Sequence, residues 1–372
     1  MKIGLITTIS TNIGDDFIRE GLLRVVSEIY QNKHIEFVQV NKHNPYMVYP
    51  AWHPIHLGGI AKRLPGRRNR LRAAADAMFA PLRNSRFDDC SLLIQCGAPV
   101  FWPDCSRNEW AKPLWHDVVG RLCHKIPVLN LAAGSCYPWE RQQDLLGSED
   151  VAFIKSILGY CRLTTVRDRL AGNICSSLGY APPLIPCSAF LAGKGRHGEI
   201  AESGYILINY MQGGGHYGWG QGIDPGGWEK TMKVLIARLG RRHKLAFLCH
   251  DEKEYALARE LAPALTVLFP KTVQQYFAYV AGAKFGICNR MHASVAMAGL
   301  GIPSIAVCTD TRLLMVSELG LPVHYVKELN ADLLEDETER LLSASGAERE
   351  RLLALQQETW DKYLAVIVQA LV

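Results

Sequence analysis

The stretch at residues 284–308, KFGICNRMHASVAMAGLGIPSIAVC, decides the fold of the chain. It predicts a buried strand over 284–288, a helix of small residues over 292–300 and a second buried strand over 304–308. A strand, a crossover helix and a further strand form the unit from which parallel sheets are built. Further apolar runs at 205–210 and 244–249 extend this series. The second half of the chain is therefore predicted to form a doubly wound α/β lobe.

A similar series occupies the first half of the chain. Predicted strands cover 2–7, 34–40, 91–95 and 127–131, and a helix covers 16–30. Glycine-containing loops follow two of these strands, at 96–99 and 133–135. The pattern indicates an α/β protein with two Rossmann-like doubly wound lobes facing a cleft. In open sheets of this kind ligands bind at the carboxyl ends of the strands.

These patterns predict four regions. An N-terminal lobe, expected to face the acceptor, spans 1–188 and carries a basic insertion at 41–86. A linker at 189–204 leads to a C-terminal lobe at 205–350, expected to face the donor. The chain is expected to be helical from 331 onward, and the apolar helix at 351–372 is expected to pack back across the lobes.

Composition limits the class of protein. The 372 residues include 41 Lys and Arg against 36 Asp and Glu and are 48% hydrophobic, which is typical of a globular protein and excludes disorder. The N-terminus lacks a secretory signal, and the longest uncharged apolar stretch, 293–308, is too short to span a membrane. We expect a cytoplasmic protein.

The eleven scattered cysteines contain no Cys-x-x-Cys pair, so neither a disulfide framework nor a metal site is predicted.

Positive charge is concentrated at 61–86, where eight basic residues accompany one acid. One interpretation is a solvated surface. The other is a patch that contacts an anionic membrane, peripherally and at its inner face, or a phosphate-bearing acceptor. Nucleic acid is not predicted as a partner, because the segment lacks interleaved aromatic residues and a known binding motif.

The best candidate for chemistry is the junction at Arg290, Met291 and His292, where a buried strand turns into a helix. Free N–H groups and the dipole at a helix N-terminus favour an anion. Arg adds a planar fork for carboxylate or phosphate, and His donates a proton near neutral pH. A lone histidine is more often structural, but its place beside Arg290 at this junction favours a functional role.

Other candidates follow the ends of predicted strands, and each has a structural alternative. Arg312 either reaches the same sheet edge or forms a surface ion pair. Arg167 either binds an anion or pairs with Asp168. Asp15 either caps a helix or acts as a base for a sugar hydroxyl. Asn12, beside Asp15, and His216 and Trp219, in a glycine-rich loop, are candidates for contacting a sugar acceptor, the alternative for that loop being flexibility.

These residues resemble the motifs of the polysaccharide pyruvyl transferase family. The resemblance covers Asn12-x-Gly14-Asp15, Val166-Arg167-Asp168 and, most specifically, the region 277–320 with Arg290-Met291-His292. It implies a fold of the glycosyltransferase B type. It also implies that phosphoenolpyruvate serves as co-substrate, with no cofactor, and is held by Arg290, the backbone of Met291, His292, Arg312 and Arg167.

The implied reaction forms a pyruvate ketal on a saccharide or polyprenyl-linked saccharide during cell-surface polysaccharide biosynthesis. His292 is the candidate acid, provided that a neighbouring anion keeps it protonated, and Asp15 is the candidate base. This chain departs from the family at 96–99, where a glycine run is usual, and at Cys187-Ser188, where Asp-Pro is usual. Two alternatives remain open, namely a nucleotide-sugar-dependent glycosyltransferase of the same fold and an inactive saccharide-binding relative.

Overall fold

Two parallel β-sheets organise the protein. The computed structural model describes residues 1–9, 13–56, 84–196 and 204–372. Asn12 and most of the basic segment at 61–86 lie outside these residues. Within the described ranges, no helix combines the length and apolar character needed to cross a membrane.

The first sheet has five parallel strands in the order β2-β1-β3-β4-β5. Its central strands are apolar on both faces, as expected for a sheet covered by helices. A π-helix, Ala111–Val119, continues into a short α-helical turn, Gly120–Leu122, and packs on this sheet. The strands are β1 Lys2–Thr7, β2 Glu36–Asn41, β3 Leu92–Phe101, β4 Val128–Ser135 and β5 Leu163–Val166, and the helices are α1 Ile13–Ile29, α2 Ser148–Tyr160 and α3 Arg169–Ser177.

The second sheet has six parallel strands in the order β11-β10-β9-β6-β7-β8. Several of its helices begin at a side chain that accepts a hydrogen bond from the first turn, such as Asp251 and Thr272. The strands are β6 Tyr205–Asn209, β7 Lys244–Leu248, β8 Thr266–Leu268, β9 Phe285–Cys288, β10 Ser304–Cys308 and β11 Val323–Tyr325. The helices are α4 Pro225–Leu239, α5 Glu252–Leu261, α6 Val273–Val280, α7 Met291–Ala298, α8 Leu314–Ser317, α9 Ala331–Ser343 and α10 Ser345–Leu371.

The two glycine-containing segments of the first lobe, predicted as loops, are parts of strands. Strand β3 continues through 96–99 to Phe101, and β4 continues through 133–135. The two segments pair with each other. Ala98 lies opposite Ala133, and the register shifts between Pro99 and Phe101. The prediction of loops was wrong because a paired neighbour supplies the backbone hydrogen bonds that an isolated glycine-rich segment lacks.

The segment predicted as a linker begins as buried structure. Residues Ser188–Leu191 form a 3₁₀ turn whose apolar side chains are fully buried. This turn packs against α1, where the Ser188 hydroxyl donates to the carbonyl of Ile18 at 3.1 Å. One hydrophobic core runs from β1 and α1 through this turn to β6 and α7.

The C-terminal region is helical, with a break at Ala344 between α9 and α10. Helix α10 contacts both halves of the chain. The Tyr363 hydroxyl donates to the carbonyl of Pro186 at 3.0 Å, and the Gln356 amide donates to the carbonyls of Phe190 and Gly299. The helix therefore fastens the connecting segment to the second sheet.

Candidate functional site

A cavity of about 570 Å³ lies where the carboxyl ends of the two sheets face each other. Eight of the residues singled out from the sequence line it, while Asn12 lies outside the described residues. These eight are Asp15, Arg167, His216, Trp219, Arg290, Met291, His292 and Arg312. The arrangement follows from topology, because parallel strands bring the residues that follow them to one edge.

Arg290 is the residue that precedes α7, and its guanidinium is held by two carboxylates. Its Nε donates to Glu254 at 2.5 Å and its Nη2 donates to Asp251. Glu254 is only 2% exposed and also accepts from the Asn209 amide at 2.8 Å. Arg290 therefore reaches the cavity in a fixed orientation, with part of its charge already compensated.

Two asparagines connect the strand ends around Arg290. The side-chain Oδ1 of Asn209 accepts from the backbone N–H of Arg290, and the side-chain Oδ1 of Asn289 accepts from that of Met211, both at 2.8 Å. The Asn289 amide donates to the carbonyl of Val307 at 3.0 Å. These bonds tie the ends of β6, β9 and β10 together, so the start of α7 is rigidly placed.

Arg312 is also paired, in a bidentate contact with Asp310. Its Nε and Nη2 donate to the two carboxylate oxygens at 2.8 and 2.6 Å. Asp310 is fully buried, so the interpretation of a surface ion pair is wrong; the pair belongs to the cavity wall. The guanidinium also lies 5.0 Å from the ring centre of Tyr217, in the range of a cation–π contact.

Arg167 differs from the other two arginines because no carboxylate binds it in the described part of the chain. Its side chain is 1% exposed, and its Nε and Nη2 have no hydrogen-bond partner among the described residues. Asp168 is occupied elsewhere, accepting from Ser135 and from the N–H of Ala171. The predicted alternative of a hydrogen-bonded Arg167–Asp168 pair is therefore wrong; Asp168 acts on the guanidinium only through space, and Arg167 lines the cavity without a bound carboxylate.

Arg167 meets His292 across the two lobes. Its Nη1 lies 3.4 Å from Nε2 of His292. Because a guanidinium only donates, Nε2 is the acceptor and the neutral ring carries its proton on Nδ1. Burial, reinforced by Arg167 and Arg312, holds the pKa of His292 well below its usual range. The described residues thus supply no anion beside His292. Its charged neighbours are the cations Arg167 and Arg312.

The glycine loop 212–220 is anchored, which differs from the alternative of a flexible loop. A side chain at Gly215 would meet Oγ1 of Thr309 at 2.4 Å, and that hydroxyl donates to the carbonyl of Tyr217 at 2.5 Å. This anchoring sets His216 and Trp219 in the cavity wall. Burial, aided by the nearby arginines, lowers the pKa of His216.

Asp15 lines the cavity from the first turn of α1. The helix begins at Ile13, so Asp15 lies inside it and does not precede it as the capping interpretation required.

Sequence reasoning missed several lining residues, among them Lys42, Trp102, Trp110, Cys136 and Asp251. Most of them stand just beyond a strand, as Lys42 does after β2 and Trp102 after β3. The rule that located Arg167 and Arg290 could therefore have found Lys42 and Trp102. In the described ranges, no three His, Cys, Asp or Glu side chains form a metal-binding group.

Solved structures with a similar fold include UDP-N-acetylglucosamine 2-epimerases. The putative UDP-N-acetylglucosamine 2-epimerase from Listeria monocytogenes has a TM-score of 0.56 and 10% identity, covering 98% of this chain and 95% of its own. The UDP-GlcNAc 2-epimerase from Neisseria meningitidis, bound to UDP-GlcNAc, has a TM-score of 0.55 and 11% identity, covering 100% and 99%. The predicted fold of two Rossmann-like lobes of the glycosyltransferase B type is confirmed.

Sequence comparisons identify the family. None of the curated proteins matches the chain significantly. The profile described as polysaccharide pyruvyl transferase matches residues 12–310, a span that includes most strands of both sheets together with Asp15, Arg167 and His292, and that ends just before Arg312. With most of its length matched, the chain belongs to the polysaccharide pyruvyl transferase family.

Proposed function

We propose that the protein transfers the pyruvyl group of phosphoenolpyruvate to a saccharide, forming a pyruvate ketal in cell-surface polysaccharide biosynthesis. Membership of a transferase family supports this proposal. The observation that carries it is Arg167, a guanidinium 1% exposed with two nitrogens unpartnered in the described chain, facing the cavity. A buried charge without a partner is costly, so an anionic ligand is expected to complete this site.

Phosphoenolpyruvate would supply the negative charge that the described residues do not place against Arg167. Phosphoenolpyruvate carries a carboxylate and a phosphate on the same carbon atom, and the positive charge of Arg167 in the cavity wall attracts one of them. Arg290 and Arg312 use Nε and Nη2 for protein carboxylates, which leaves Nη1 of each for the other group. Charge-assisted bonds of this kind are strong and directional. The first N–H groups of α7, including that of Met291, add donors.

His292 gains a chemical role when the donor is bound. The donor's negative charge raises the pKa of the imidazole, and Arg167 turns its N–H groups from His292 to the donor. The protonated imidazole then gives its proton to the methylene carbon, which leaves the adjacent carbon electrophilic. One acceptor hydroxyl adds there, phosphate leaves, and a second hydroxyl closes the ketal.

The acceptor is proposed to lie between the first lobe and the glycine loop. Asp15 faces it from α1, and His216 and Trp219 face it from the second lobe. Trp219 is 37% exposed and offers its ring to a sugar face. A polyprenyl-linked acceptor also accounts for the basic segment 61–86, through peripheral contact with an anionic membrane. Replacing the arginines of that segment should weaken binding to anionic vesicles, whereas unchanged binding contradicts this contact.

A nucleotide-sugar-dependent glycosyltransferase is the second candidate. Its support is that similar folds hold UDP-GlcNAc, as in the Neisseria structure. A ribose needs a carboxylate free to accept from its hydroxyls. The carboxylates of Asp310 and Asp251 instead bind Arg312 and Arg290. The donor-site arginines therefore favour the first candidate.

The deciding experiment measures phosphate release from phosphoenolpyruvate with a panel of sugar and polyprenyl-linked acceptors, and UDP release from UDP-sugars in parallel. We expect acceptor-dependent phosphate release and a ketal in the product by mass spectrometry. UDP release without phosphate release supports the second candidate. Acceptor binding without either product indicates an inactive saccharide-binding relative.

A further inference from the structure

Lys42 is a cavity-lining residue with no role in the site described so far. It follows β2 directly, and its backbone N–H donates to the carbonyl of Thr7 at 2.8 Å. The residue is 8% exposed, and its side chain lines the cavity. Its Nζ lies 6.0 Å from the ring centre of Trp110. In the described chain its amine forms no ion pair within 4.0 Å.

Several charged or titratable groups face this amine from the surrounding elements. Asp15 faces it from α1, Arg167 from the end of β5, Cys136 from the end of β4 and Glu109 from the loop after β3. Burial lowers the pKa of Lys42 and outweighs Asp15, giving a value of about 8. About a tenth of the amine is therefore neutral at pH 7, a fraction sufficient for proton transfer near neutrality.

We propose, on the basis of the function proposed above, that Lys42 is the base that takes the proton of the acceptor hydroxyl. As the O–H bond breaks, the oxygen bonds to the electrophilic carbon of the donor and the proton moves to Nζ. The C–O bond to phosphate then breaks, and its electron pair leaves with phosphate, which takes the proton from the ammonium. The neutral amine is thereby restored. It takes the proton of the second hydroxyl as that oxygen bonds to the same carbon, and the proton passes on to His292 for the next turnover.

This assignment changes the part played by Asp15. An amine is intrinsically a stronger base than a carboxylate, so it is better matched to a sugar hydroxyl. Asp15 lies close enough to stabilise the ammonium once Lys42 has taken the proton. Trp110 shields the amine from water on one side. Lys42 is thus the catalytic residue and Asp15 a positioning residue that acts through it.

The first test measures the ionisation of Lys42 in the intact protein. Lysines are acetylated competitively with acetic anhydride at pH 6 to 11 and quantified by mass spectrometry. We expect half-maximal reactivity of Lys42 near pH 8, with the exposed Lys155 on α2 labelled in the same samples as the internal control. Added phosphoenolpyruvate should slow labelling of Lys42 and leave Lys155 unaffected. Equal titration of the two lysines overturns the proposal.

The second test compares kcat/KM against pH for the wild-type protein, Lys42→Arg, Lys42→Met and the control Lys155→Arg. We expect a loss of about 10²- to 10⁴-fold in both Lys42 variants, together with loss of the wild-type limb near pH 8. Donor binding and melting temperature report whether each variant is folded. Near wild-type activity of Lys42→Arg shows that only the charge is needed and overturns the base assignment.

Failure of the underlying function gives a different result. If the wild-type protein releases no phosphate from phosphoenolpyruvate with any acceptor, the proposed function fails and the role of Lys42 fails with it. If the wild type is active and the pH limb persists in Lys42→Arg, only the role of Lys42 is overturned.

Discussion

The position of the Arg167 guanidinium depends on the absence of a side chain at Gly134. A Cβ at Gly134 would lie 2.4 Å from Nε of Arg167, so only glycine lets the guanidinium occupy its place beside β4. Asp168, its neighbour in sequence, begins α3 and accepts from the N–H of Ala171. The cation is consequently held in the cavity wall by packing, without a carboxylate hydrogen-bonded to it in the described chain.

Replacing Arg167 should separate donor binding from stability. We expect Arg167→Gln to lower kcat/KM by about 10²-fold or more, because one donor of charge-assisted bonds is removed. Stability should be unchanged or higher, since an unpaired buried charge is lost. Calorimetric titration with phosphoenolpyruvate and thermal unfolding measure the two effects. Arg169→Gln, which alters an exposed arginine two residues away, is the control; wild-type donor affinity in Arg167→Gln contradicts the proposed site.

His292 and Arg290 should respond differently to alanine. Both changes are expected to abolish turnover, but only His292→Ala should leave the fold intact. Arg290→Ala removes the guanidinium from Glu254, which is 2% exposed. Breaking a buried pair costs about 3–5 kcal/mol. Urea unfolding measures this difference, and equal stability of the two variants counts against the role of the Glu254 contact.

Two buried histidines make stability depend on pH. Burial holds the pKa of His250 and of His292 well below the usual value. The unfolded imidazoles take up protons below about pH 6.5, while the folded ones do not. Their contribution to stability is therefore present above pH 6.5 and is lost as pH falls towards the lower, folded pKa.

The His250→Phe variant tests this effect without altering a cavity-lining residue. Both ring nitrogens of His250 lack hydrogen-bond partners in the described chain, and the ring packs on Phe17 and Tyr276. We expect the free energy of unfolding to fall less steeply from pH 7 to pH 5 in the variant, by up to about 1.4 kcal/mol per pH unit. The exposed His34→Gln variant is the control. A slope equal to that of the wild type rejects the assignment.

At the scale of elements, hydrophobic patterning predicted the central strands closely. The bounds of β1 and β10 match the predicted ranges, because each is delimited by polar or turn-forming residues. Strands β8 and β11, of three residues each, were not predicted, since so short a run has no periodicity.

The position of a candidate residue was predictable where that residue followed a recognised strand. Arg290 and Arg312 were placed correctly at the sheet edge, but their carboxylate partners were not foreseen. Asp251 and Glu254 lie some forty residues earlier, at the start of α5, and meet Arg290 only because β7 lies beside β6 in the sheet. Contacts of this kind depend on strand order, which local sequence does not encode.

The contact between α1 and the Ser188–Leu191 turn should tolerate no added methyl group. A Cβ at Gly21 would lie 1.8 Å from the backbone carbonyl oxygen of Ser188. We expect Gly21→Ala to lower the free energy of unfolding by about 1–3 kcal/mol or more. Gly159→Ala in α2 is the control, because nothing lies within 4 Å of its Cβ, and it should stabilise by up to about 1 kcal/mol. Equal stability of the two variants contradicts this packing.

At the scale of the whole molecule, the two sheets share one hydrophobic core. Phe17 of α1 packs on Tyr276 of α6, with ring centres 4.5 Å apart. Helix α10 adds contacts to both sides of the connecting segment. Each half also has a hydrophobic cluster of its own, but because the shared cluster joins the two sheets, the halves are expected to unfold together.

Calorimetry should show a single unfolding transition. Gln356→Ala should lower the free energy of unfolding by about 1–3 kcal/mol for each carbonyl left unsatisfied, at Phe190 and Gly299. Gln357→Ala changes the adjacent exposed residue and should have little effect. Two resolved transitions in the wild-type protein contradict a shared core.

The carboxylates that hold Arg290 and Arg312 have a consequence for selectivity. They offset part of the positive charge of the pocket, so abundant small anions such as chloride, sulfate or inorganic phosphate gain less by entering. Only a molecule that presents two anionic groups at the correct separation can satisfy Arg167 while also reaching the remaining N–H groups. Discrimination between donors then rests on geometry more than on total charge, and the affinity for such a donor should vary only weakly with ionic strength.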